Sequence, residues 1–139
     1  MIVQDFTIDK YNWTVRVYYT VSFYPIEEIV EELVSLGCDH DDILDCIDAM
    51  EDFKYDTGSL HSNLYQRRSI AIIGPSSSAE EFSDTLTHEI GHLTAHIAIA
   101  DNIDPFGEEI QYLAGYISKQ AFVVAEKFLC SHCREELFK

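Results

Sequence analysis

The stretch Thr87–His92, which reads T-H-E-I-G-H, is the point from which the fold of this chain can be predicted. It is an H-E-x-x-H motif inside a segment, Ala79–Ala100, whose residue pattern predicts one long α-helix. At about 100° and 1.5 Å per residue, His88 and His92 share one helix face about 6 Å apart along the axis, so both imidazoles reach a single Zn²⁺. Glu89 lies beside them, free to act on a zinc-activated water, which indicates a zinc-dependent hydrolase and most often a peptidase.

The sequence around the motif supports this helix, whereas the five-letter pattern alone arises by chance in helices rich in His and Glu. Ser76–Ser78, followed by two glutamates, predicts a helix start with hydroxyl caps and acids in the first turn. Apolar residues recur at helical spacing on the side away from the histidines: Phe82, Leu86, Ile90, Leu93 and Ile97. Gly91 and Ala95 lie beside His88, so small residues line the histidine face and another backbone segment is expected to approach it closely.

A catalytic zinc site needs a third protein ligand and keeps one position open for water. His96 lies eight residues beyond His88, about 12 Å along a continuous helix, which is too far for both to bind one ion. We therefore assign His96 to packing or to support of the site rather than to the metal.

The predicted third ligand comes from the next helix, which begins at Glu108 after the loop Asp101–Gly107 and runs to about Leu129. Glu109 falls on the apolar stripe of this helix, near Tyr112, Leu113, Tyr116, Val123 and Val124. A carboxylate on an apolar stripe is costly unless it is paired or bound to metal, which favours Glu109 over Glu108 as the ligand. The alternative for Glu109 is a helix-start acid that interacts with the helix dipole.

This constellation, two histidines and a glutamate on one helix and a glutamate on the next, resembles the zincin superfamily in its gluzincin arrangement. The segment Arg67–Ile117 is also similar to small zincin-like proteins encoded by bacteriophages and prophages, through R-S-I-A-I-I-G at 68–74, the H-E-x-x-H helix, and Y-L-A-G-Y at 112–116 after Glu109. These motifs cover roughly a third of the chain. The interval from His92 to Glu109, 17 residues, is near or below the short end of the gluzincin pattern and implies a minimal fold.

The resemblance implies a Zn²⁺ site with three protein ligands: His88, His92 and Glu109. Glu89 would take the proton of the zinc-activated water as that water attacks a peptide carbonyl, and would return it to the leaving amine. Tyr112 or Tyr116, on the Glu109 side, would donate a phenol hydrogen bond to the transition-state oxyanion. The alternative for both tyrosines is a position in the hydrophobic core.

A strand pattern precedes the long helix. Ser69–Ile73 is a short β-branched run closed by Gly74-Pro75, which predicts a strand leading into that helix. Two roles for this strand stand open: an ordinary core strand or, as the resemblance implies, an edge strand above the metal that pairs with an extended substrate. Arg67 and Arg68, just before it, would either bind substrate acids or pair with nearby carboxylates.

The N-terminal third predicts a β-hairpin from Ile2–Asp9 and Trp13–Ser22, with its turn at Lys10–Asn12. The predicted elements that follow are a helix Pro25–Leu36 ended by Gly37, a helix from Asp39 with Ile43, Leu44, Ile47 and Met50 inward, and a loop Lys54–Asn63. These patterns predict an α+β fold in one domain, residues 1–139, and the resemblance makes it zincin-like. An N-terminal β-hairpin and a short sheet with an edge strand would pack on the active-site helix and a C-terminal helix.

Composition limits the classes of function. The chain has 139 residues, 47% of them hydrophobic, which is enough for one core. Its formal net charge of -16 argues against binding to nucleic acid, because phosphates would be repelled, and no apolar run is long enough to span a membrane. Because no secretory leader is visible, we expect a cytoplasmic protein, in a bacterial host or associated with a virion if phage-encoded. The expected partner is a peptide or protein substrate, and no pattern specifies an oligomeric state.

The chain has four cysteines, two of which form a further motif. Cys130 and Cys133 make a C-x-x-C that follows a predicted helix, whereas redox motifs of this kind usually precede one. A structural zinc site would need Cys38 and Cys46 as additional ligands. We expect reduced, inert thiols, with a C-terminal zinc knuckle or a link between Cys130 and Cys133 as alternatives.

Two functions of different class follow from the sequence. In the first, the chain is a zinc metallopeptidase, and Glu89 favours this function because a purely structural zinc site needs no general base. In the second, it is a catalytically silent zincin-like phage structural or binding protein with a metal site. The small size favours the second function, because little chain is left to build a deep substrate cleft. A chance motif in a metal-free helical domain is a third possibility.

Overall fold

The computed structural model describes residues 2–19, 25–51, 58–124, 127, 131–132 and 135. In chain order its elements are β1 (Ile2–Ile8), a 3-10 turn (Asp9–Tyr11), β2 (Trp13–Tyr19), α1 (Ile26–Leu36), α2 (His40–Glu51), β3 (Gly58–Asn63), β4 (Arg68–Ile73), α3 (Ala79–Asp101) and α4 (Glu108–Phe122). This arrangement, one sheet with helices on both faces, confirms the predicted α+β class. The C-x-x-C of Cys130 and Cys133 lies outside the described residues.

The sheet has the strand order β1-β2-β4-β3. β1 and β2 form the predicted antiparallel hairpin, which ends its turn at Asn12 with a φ of 49° in the left-handed region. β2 and β4 are parallel neighbours, with Tyr18 beside Ile72, and β3 pairs with the outer side of β4 in antiparallel register. The chain therefore leaves β2, passes through α1, α2 and β3, and returns to the middle of the sheet as β4.

The position of β4 decides between the two roles left open for Ser69–Ile73. β4 has a neighbour on each side, so the core role is confirmed and the edge role is wrong. The edge strand on this side is β3, where the sequence predicts a loop. Its residues G-S-L-H-S-N include no β-branched side chain and only one large apolar one, so no strand periodicity is visible. Pairing with β4 supplies what the local sequence lacks.

Side-chain alternation in β2 and β4 divides the core into two layers. One face, which includes Val17 and Ile73, packs against α3 and α4. The opposite face, which includes Tyr18 and Ile72, packs against α1 and α2. Because successive residues of a strand point to opposite faces, each of these two strands supports both pairs of helices.

α1 and α2 agree with their predicted patterns at most positions. α1 ends at Leu36, and Gly37 takes the left-handed conformation with a φ of 83°, as a helix-ending glycine does. In α2, Ile43 and Met50 are buried as predicted. Leu44 is 45% exposed, so its predicted inward position is wrong, because it lies about 100° around the helix from Ile43.

α3 is the longest element, with 23 residues. Ser78 caps its start, as the serine-rich stretch predicts, and accepts a hydrogen bond from the amide of Glu81 at 3.1 Å. The predicted apolar stripe faces the sheet, with Phe82, Ile90, Leu93 and Ile97 buried and Leu86 half-buried. Burial of this stripe fixes the rotation of the helix that carries the H-E-x-x-H motif. No helix among the described residues is long and apolar enough to cross a membrane.

Gly58, the first residue of β3, tests the close packing of the edge strand. A Cβ at this position would lie 2.5 Å from the carbonyl oxygen of Ile72. Gly58→Ala should therefore lower the free energy of unfolding by about 1–3 kcal/mol, because the backbone must shift. Gly115→Ala in α4 is the control, since an added Cβ there meets no heavy atom within 4 Å, and it should raise the same quantity by about 0.5–1 kcal/mol. Urea unfolding measures both, and equal changes would contradict the contact.

Candidate metal centre

His88 and His92 lie one helical turn apart on the exposed face of α3. Their Nε2 atoms are 3.1 Å apart, and their ring centroids are 4.8 Å apart with the planes at 77°. Two nitrogens bound to a tetrahedral zinc at about 2.0–2.1 Å would be separated by about 3.3 Å. The two nitrogens thus lie at hydrogen-bond distance, which is also close to the spacing of two nitrogen ligands on one zinc ion.

Glu89, between the two histidines in the sequence, is buried. The residue is 4% exposed, and its Oε2 has no hydrogen-bond partner among the described residues. Burial raises the pKa of Glu89, and the neighbouring His88 and His92 oppose that rise. A buried carboxylate oxygen without a partner costs stability, and such groups concentrate at binding and catalytic sites. Its chemistry fits a group that accepts a proton beside the histidine pair.

The histidine face is open at Gly91. A Cβ built on this residue would meet no heavy atom within 4 Å. The expectation that small residues bring another backbone segment onto this face is therefore not met by the described part of the chain. The space beside the histidine pair remains accessible to a molecule from solution.

β3 runs alongside the same stretch of α3. At the start of the strand, a Cβ on Gly58 would lie 3.4 Å from Cγ2 of Thr85. Near its end, the hydroxyl of Ser62 lies 2.7 Å from Nδ1 of His96. The histidine pair falls between Thr85 and His96 along the helix, so the outer edge of the sheet borders the candidate metal centre.

His96 ends a series of side-chain hydrogen bonds that runs from β2 through β4 and β3 to α3. The indole Nε1 of Trp13 donates to Oγ of Ser69 at 2.8 Å. Ser62 Oγ lies 2.7 Å from Ser69 Oγ and 2.7 Å from Nδ1 of His96. An indole N–H only donates, so Ser69 accepts from Trp13. Both serine hydroxyl protons are then used if Ser69 donates to Ser62 and Ser62 donates to His96. This direction leaves His96 neutral, and burial, followed by the charge of His92, lowers its pKa in agreement.

Glu109 is held by the hairpin turn. The hydroxyl of Tyr11 donates to its Oε1 at 2.7 Å, and Nζ of Lys10 lies 3.3 Å from the same oxygen. Hydrogen bonds from Tyr11 and Lys10 lower the pKa of Glu109. Its side chain is 46% exposed, so its predicted place on a buried stripe is wrong. The residues of α4 that are buried are Ile110, Leu113, Ile117 and Ala121.

The predicted set of three zinc ligands is not assembled. Among the residues that the structure describes, no group of three His, Cys, Asp or Glu side chains is arranged to hold a metal ion. This finding applies to Glu109 with the histidine pair and equally to the alternative, Glu108. The helical-wheel estimate fails because Ile110, next to Glu109, is the first residue of α4 to enter the core.

Tyr112 and Tyr116, proposed from the sequence as oxyanion donors, line a surface cleft together with Glu109 and the hairpin turn. Tyr112 is 76% exposed and Tyr116 is 40% exposed, so the core alternative is wrong for both. The hydroxyl of Tyr116 donates to the carbonyl of Thr7 at 3.2 Å. The cleft has a volume of about 550 Å³, and no residue of the H-E-x-x-H motif lines it. The predicted site residues therefore form two groups, one on α3 and one on α4.

Arg67 and Arg68 take the second of their two predicted roles and pair with carboxylates. Nη2 of Arg67 lies 2.7 Å from Asp101, and Nη2 of Arg68 lies 3.2 Å from Glu32. Both guanidinium groups are thus engaged within the fold.

Comparisons of the chain with protein-family models, with curated proteins and with solved structures found no match. The interpretation of the site therefore rests on its own geometry and chemistry.

His61, on β3 beside this site, gives a prediction for the pH dependence of stability. Its Nε2 contacts Cys46 Sγ at 3.4 Å and Ser59 Oγ at 3.1 Å, and burial lowers its pKa from the usual 6.5. The imidazole of His61 therefore binds a proton more readily in the unfolded chain than in the folded one. Its contribution to the free energy of unfolding is complete above about pH 6.5 and is lost as the pH falls through its folded pKa. Between about pH 8 and pH 5, the free energy of unfolding in urea should fall less for His61→Gln than for the parent chain. Parallel curves would contradict the burial of a neutral imidazole.

Proposed function

We propose that this chain is a zinc-dependent peptide hydrolase in which His88 and His92 supply two of the protein ligands of the metal and Glu89 is the general base. The third protein ligand is not among the groups that the described residues assemble. The observation that carries the proposal is the convergence of the two Nε2 atoms to 3.1 Å on an exposed helix face. The buried Glu89, with one carboxylate oxygen lacking a partner among the described residues, supports it.

The chemistry divides between the metal and the chain. Zinc, when bound, supplies a Lewis acid that lowers the pKa of a coordinated water toward neutrality. His88 and His92 would bind it as neutral imidazoles. Glu89 would take a proton from the attacking water and deliver it to the amine nitrogen as the peptide bond breaks. Burial raises the pKa of Glu89 toward the range in which a carboxylate exchanges protons efficiently.

β3 offers a binding surface for the substrate backbone. It ends the described sheet, so its outer N–H and C=O groups are not used in strand pairing. An extended peptide that added to this edge would run alongside the histidine pair, because β3 borders α3 from Thr85 to His96. The substrate-binding role that the resemblance implies for Ser69–Ile73 is thus proposed for β3 instead.

The alternative function is a catalytically silent zincin-like binding or structural protein. It is favoured by the small size of the chain, because 139 residues leave little to build a deep substrate cleft. Peptide hydrolysis separates the two functions, because a silent protein retains its metal site without turnover.

Metal content tests the histidine pair. We expect one zinc per chain after purification without added metal, and His88→Ala or His92→Ala should weaken zinc binding by about two orders of magnitude or more. His40→Ala is the control, because His40 is an exposed histidine at the start of α2. Elemental analysis and zinc titration measure the binding. A parent chain that takes up no zinc even on titration would remove the proposal.

The same titration applied to Glu109→Ala and Glu108→Ala examines the third ligand. We expect unchanged zinc affinity in both, because Glu109 is held by Tyr11 and Lys10 and Glu108 belongs to no three-ligand group of described residues. A loss of zinc in either variant would restore that glutamate as a ligand.

Glu89→Gln tests the general base. The amide keeps the shape of the side chain but accepts no proton, so cleavage should fall by about 10²–10⁴-fold while zinc content is unchanged. Mass spectrometry of a digested-proteome peptide library, incubated with each variant, measures the cleavage. Glu80→Gln, an exposed acid in the first turn of the same helix, is the control and should cleave like the parent. Equal cleavage by Glu89→Gln would exclude the proposed base, and no cleavage by the parent would favour the silent alternative.

A further inference from the structure

The cleft between the hairpin turn and α4 combines aromatic side chains with acidic and basic ones. We call it the tyrosine cleft, and it is lined by Ile8, Asp9, Lys10, Tyr11, Glu109, Tyr112, Leu113 and Tyr116. Two of its tyrosines are exposed, Tyr112 by 76% and Tyr116 by 40%, although tyrosine side chains usually bury much of their ring. A concave surface of about 550 Å³ with aromatic walls and a few polar groups is typical of a binding site.

One cation of the chain already lies in this cleft. Nζ of Lys10 is 3.3 Å from Oε1 of Glu109 and 5.5 Å from the centroid of the Tyr11 ring. A carboxylate and an aromatic face therefore surround an ammonium group at this point. The side chain of Lys10 is 70% exposed and that of Glu109 is 46% exposed, so water screens their ion pair and a stronger ligand can replace it.

The surroundings of the cleft are acidic. A second, more polar cleft of about 650 Å³ shares Lys10, Tyr11 and Glu109 with the first, and Asp101 and Asp104 line it. The guanidinium of Arg67, which also lines it, is bound by Asp101. The chain as a whole carries a formal net charge of -16, and the carboxylates of Asp101, Asp104 and Glu109 place part of that negative charge beside the cleft.

Arg67 shows how this chain holds a guanidinium between an aromatic ring and a carboxylate. Its guanidinium carbon lies 5.3 Å from the centroid of the Trp13 ring, and its Nη2 donates to both carboxylate oxygens of Asp101, at 2.9 and 2.7 Å. The planar guanidinium thus contacts an aromatic face and a carboxylate at the same time, which a compact, strongly hydrated ammonium does less well. In the neighbouring tyrosine cleft, the Glu109 carboxylate accepts a hydrogen bond from the Tyr11 hydroxyl, and the cation beside it is the ammonium of Lys10.

We propose that the tyrosine cleft binds an arginine side chain of a peptide or protein partner, and that this arginine replaces Lys10 at Glu109. The guanidinium forms charge-assisted hydrogen bonds with the Glu109 carboxylate, and the exposed tyrosines provide the aromatic contact. Lys10 then swings into solvent, at little cost because it is already mostly exposed. Binding requires neither zinc nor hydrolysis, so this inference stands or fails separately from the proposed function.

The test uses the full chain and a short, fluorescently labelled alanine peptide with one central arginine. Matched peptides carry lysine, citrulline or glutamate at that position, and anisotropy measures affinity in the Glu89→Gln background, in which the peptide stays intact. We expect the arginine peptide to bind at least about tenfold more tightly than the citrulline peptide, which has the same shape but no charge, and more tightly than the lysine peptide. Equal binding of the arginine and citrulline peptides, or no binding of either, would overturn the proposal.

Lys10→Met gives the most specific result, because it should strengthen binding. Removal of the internal competitor frees Glu109, and we expect the affinity for the arginine peptide to rise at least about threefold. Lys119→Met is the matched control: it removes one positive charge from an exposed position of α4 outside the cleft and should change the affinity much less. Equal effects of the two lysine variants would mean that the peptide responds only to net charge, which contradicts the cleft.

Two further variants examine the walls of the cleft. Glu109→Gln and Tyr112→Leu should each lower the affinity for the arginine peptide at least about fivefold. The first variant removes the negative charge, and the second removes an aromatic face. Both side chains are well exposed, so the fold should be retained, and circular dichroism checks this. Zinc titration of the same Glu109→Gln protein separates a metal-binding role of Glu109 from an arginine-binding role. Loss of zinc with retained peptide binding would assign Glu109 to the metal and overturn the proposed binding of arginine in the cleft.

Discussion

The packing of α3 against the sheet face formed by β2 and β4 is the interaction on which the rest of the structure depends. Phe82, Ile90, Leu93 and Ile97 are buried in this interface, and each contributes about 1.5–3 kcal/mol relative to exposure. Because these four residues fix the rotation of the helix, they also fix where every other side chain of α3 points. His88 and His92 are therefore held on the exposed face, while Glu89 is drawn under the surface beside them. The hydrophobic stripe thus determines the geometry of the candidate site, although none of its residues belongs to that site.

β3 is held by a different kind of force. Few of its residues add apolar area to the core, and polar contacts fasten it instead. They are the backbone pairing with β4 and the contacts of Ser62 with Ser69 and His96, of His61 with Cys46, and of Asn63 with the carbonyl of Leu36. Individual hydrogen bonds contribute only about 0.5–1.5 kcal/mol each, so this edge is expected to open at lower free energy than β2 or β4. An edge strand that adjusts beside an open histidine face is suited to accept a strand from outside, which agrees with the proposed binding of an extended peptide.

The parts of the fold and site that the sequence predicted correctly are those encoded by local periodicity. α3, its Ser78 cap, the hairpin and the shared face of His88 and His92 all follow from residues within one or two turns of each other. β3 could not be predicted, because its strand conformation comes from pairing with β4. The burial of Glu109 was predicted wrongly for a similar reason. A helical wheel places residues only to within the width of a stripe, and in the fold Ile110 enters the core while Glu109 contacts Tyr11, which is distant in sequence. The serines that link Trp13 to His96 carry no motif and emerge only from the folded arrangement.

The separation of Glu109 from the histidine pair has a structural cause that extends across the molecule. Arg67, whose φ of 55° lies in the left-handed region, donates to the carbonyl of Tyr11 and to Asp101 at the end of α3. It thereby ties the hairpin turn to the loop between α3 and α4. Tyr11, fixed in this way, holds Glu109 through its hydroxyl. Moving Glu109 toward the histidines would break this bond and the pairing with Lys10, so the contacts of the hairpin turn favour the separation of the two groups of residues.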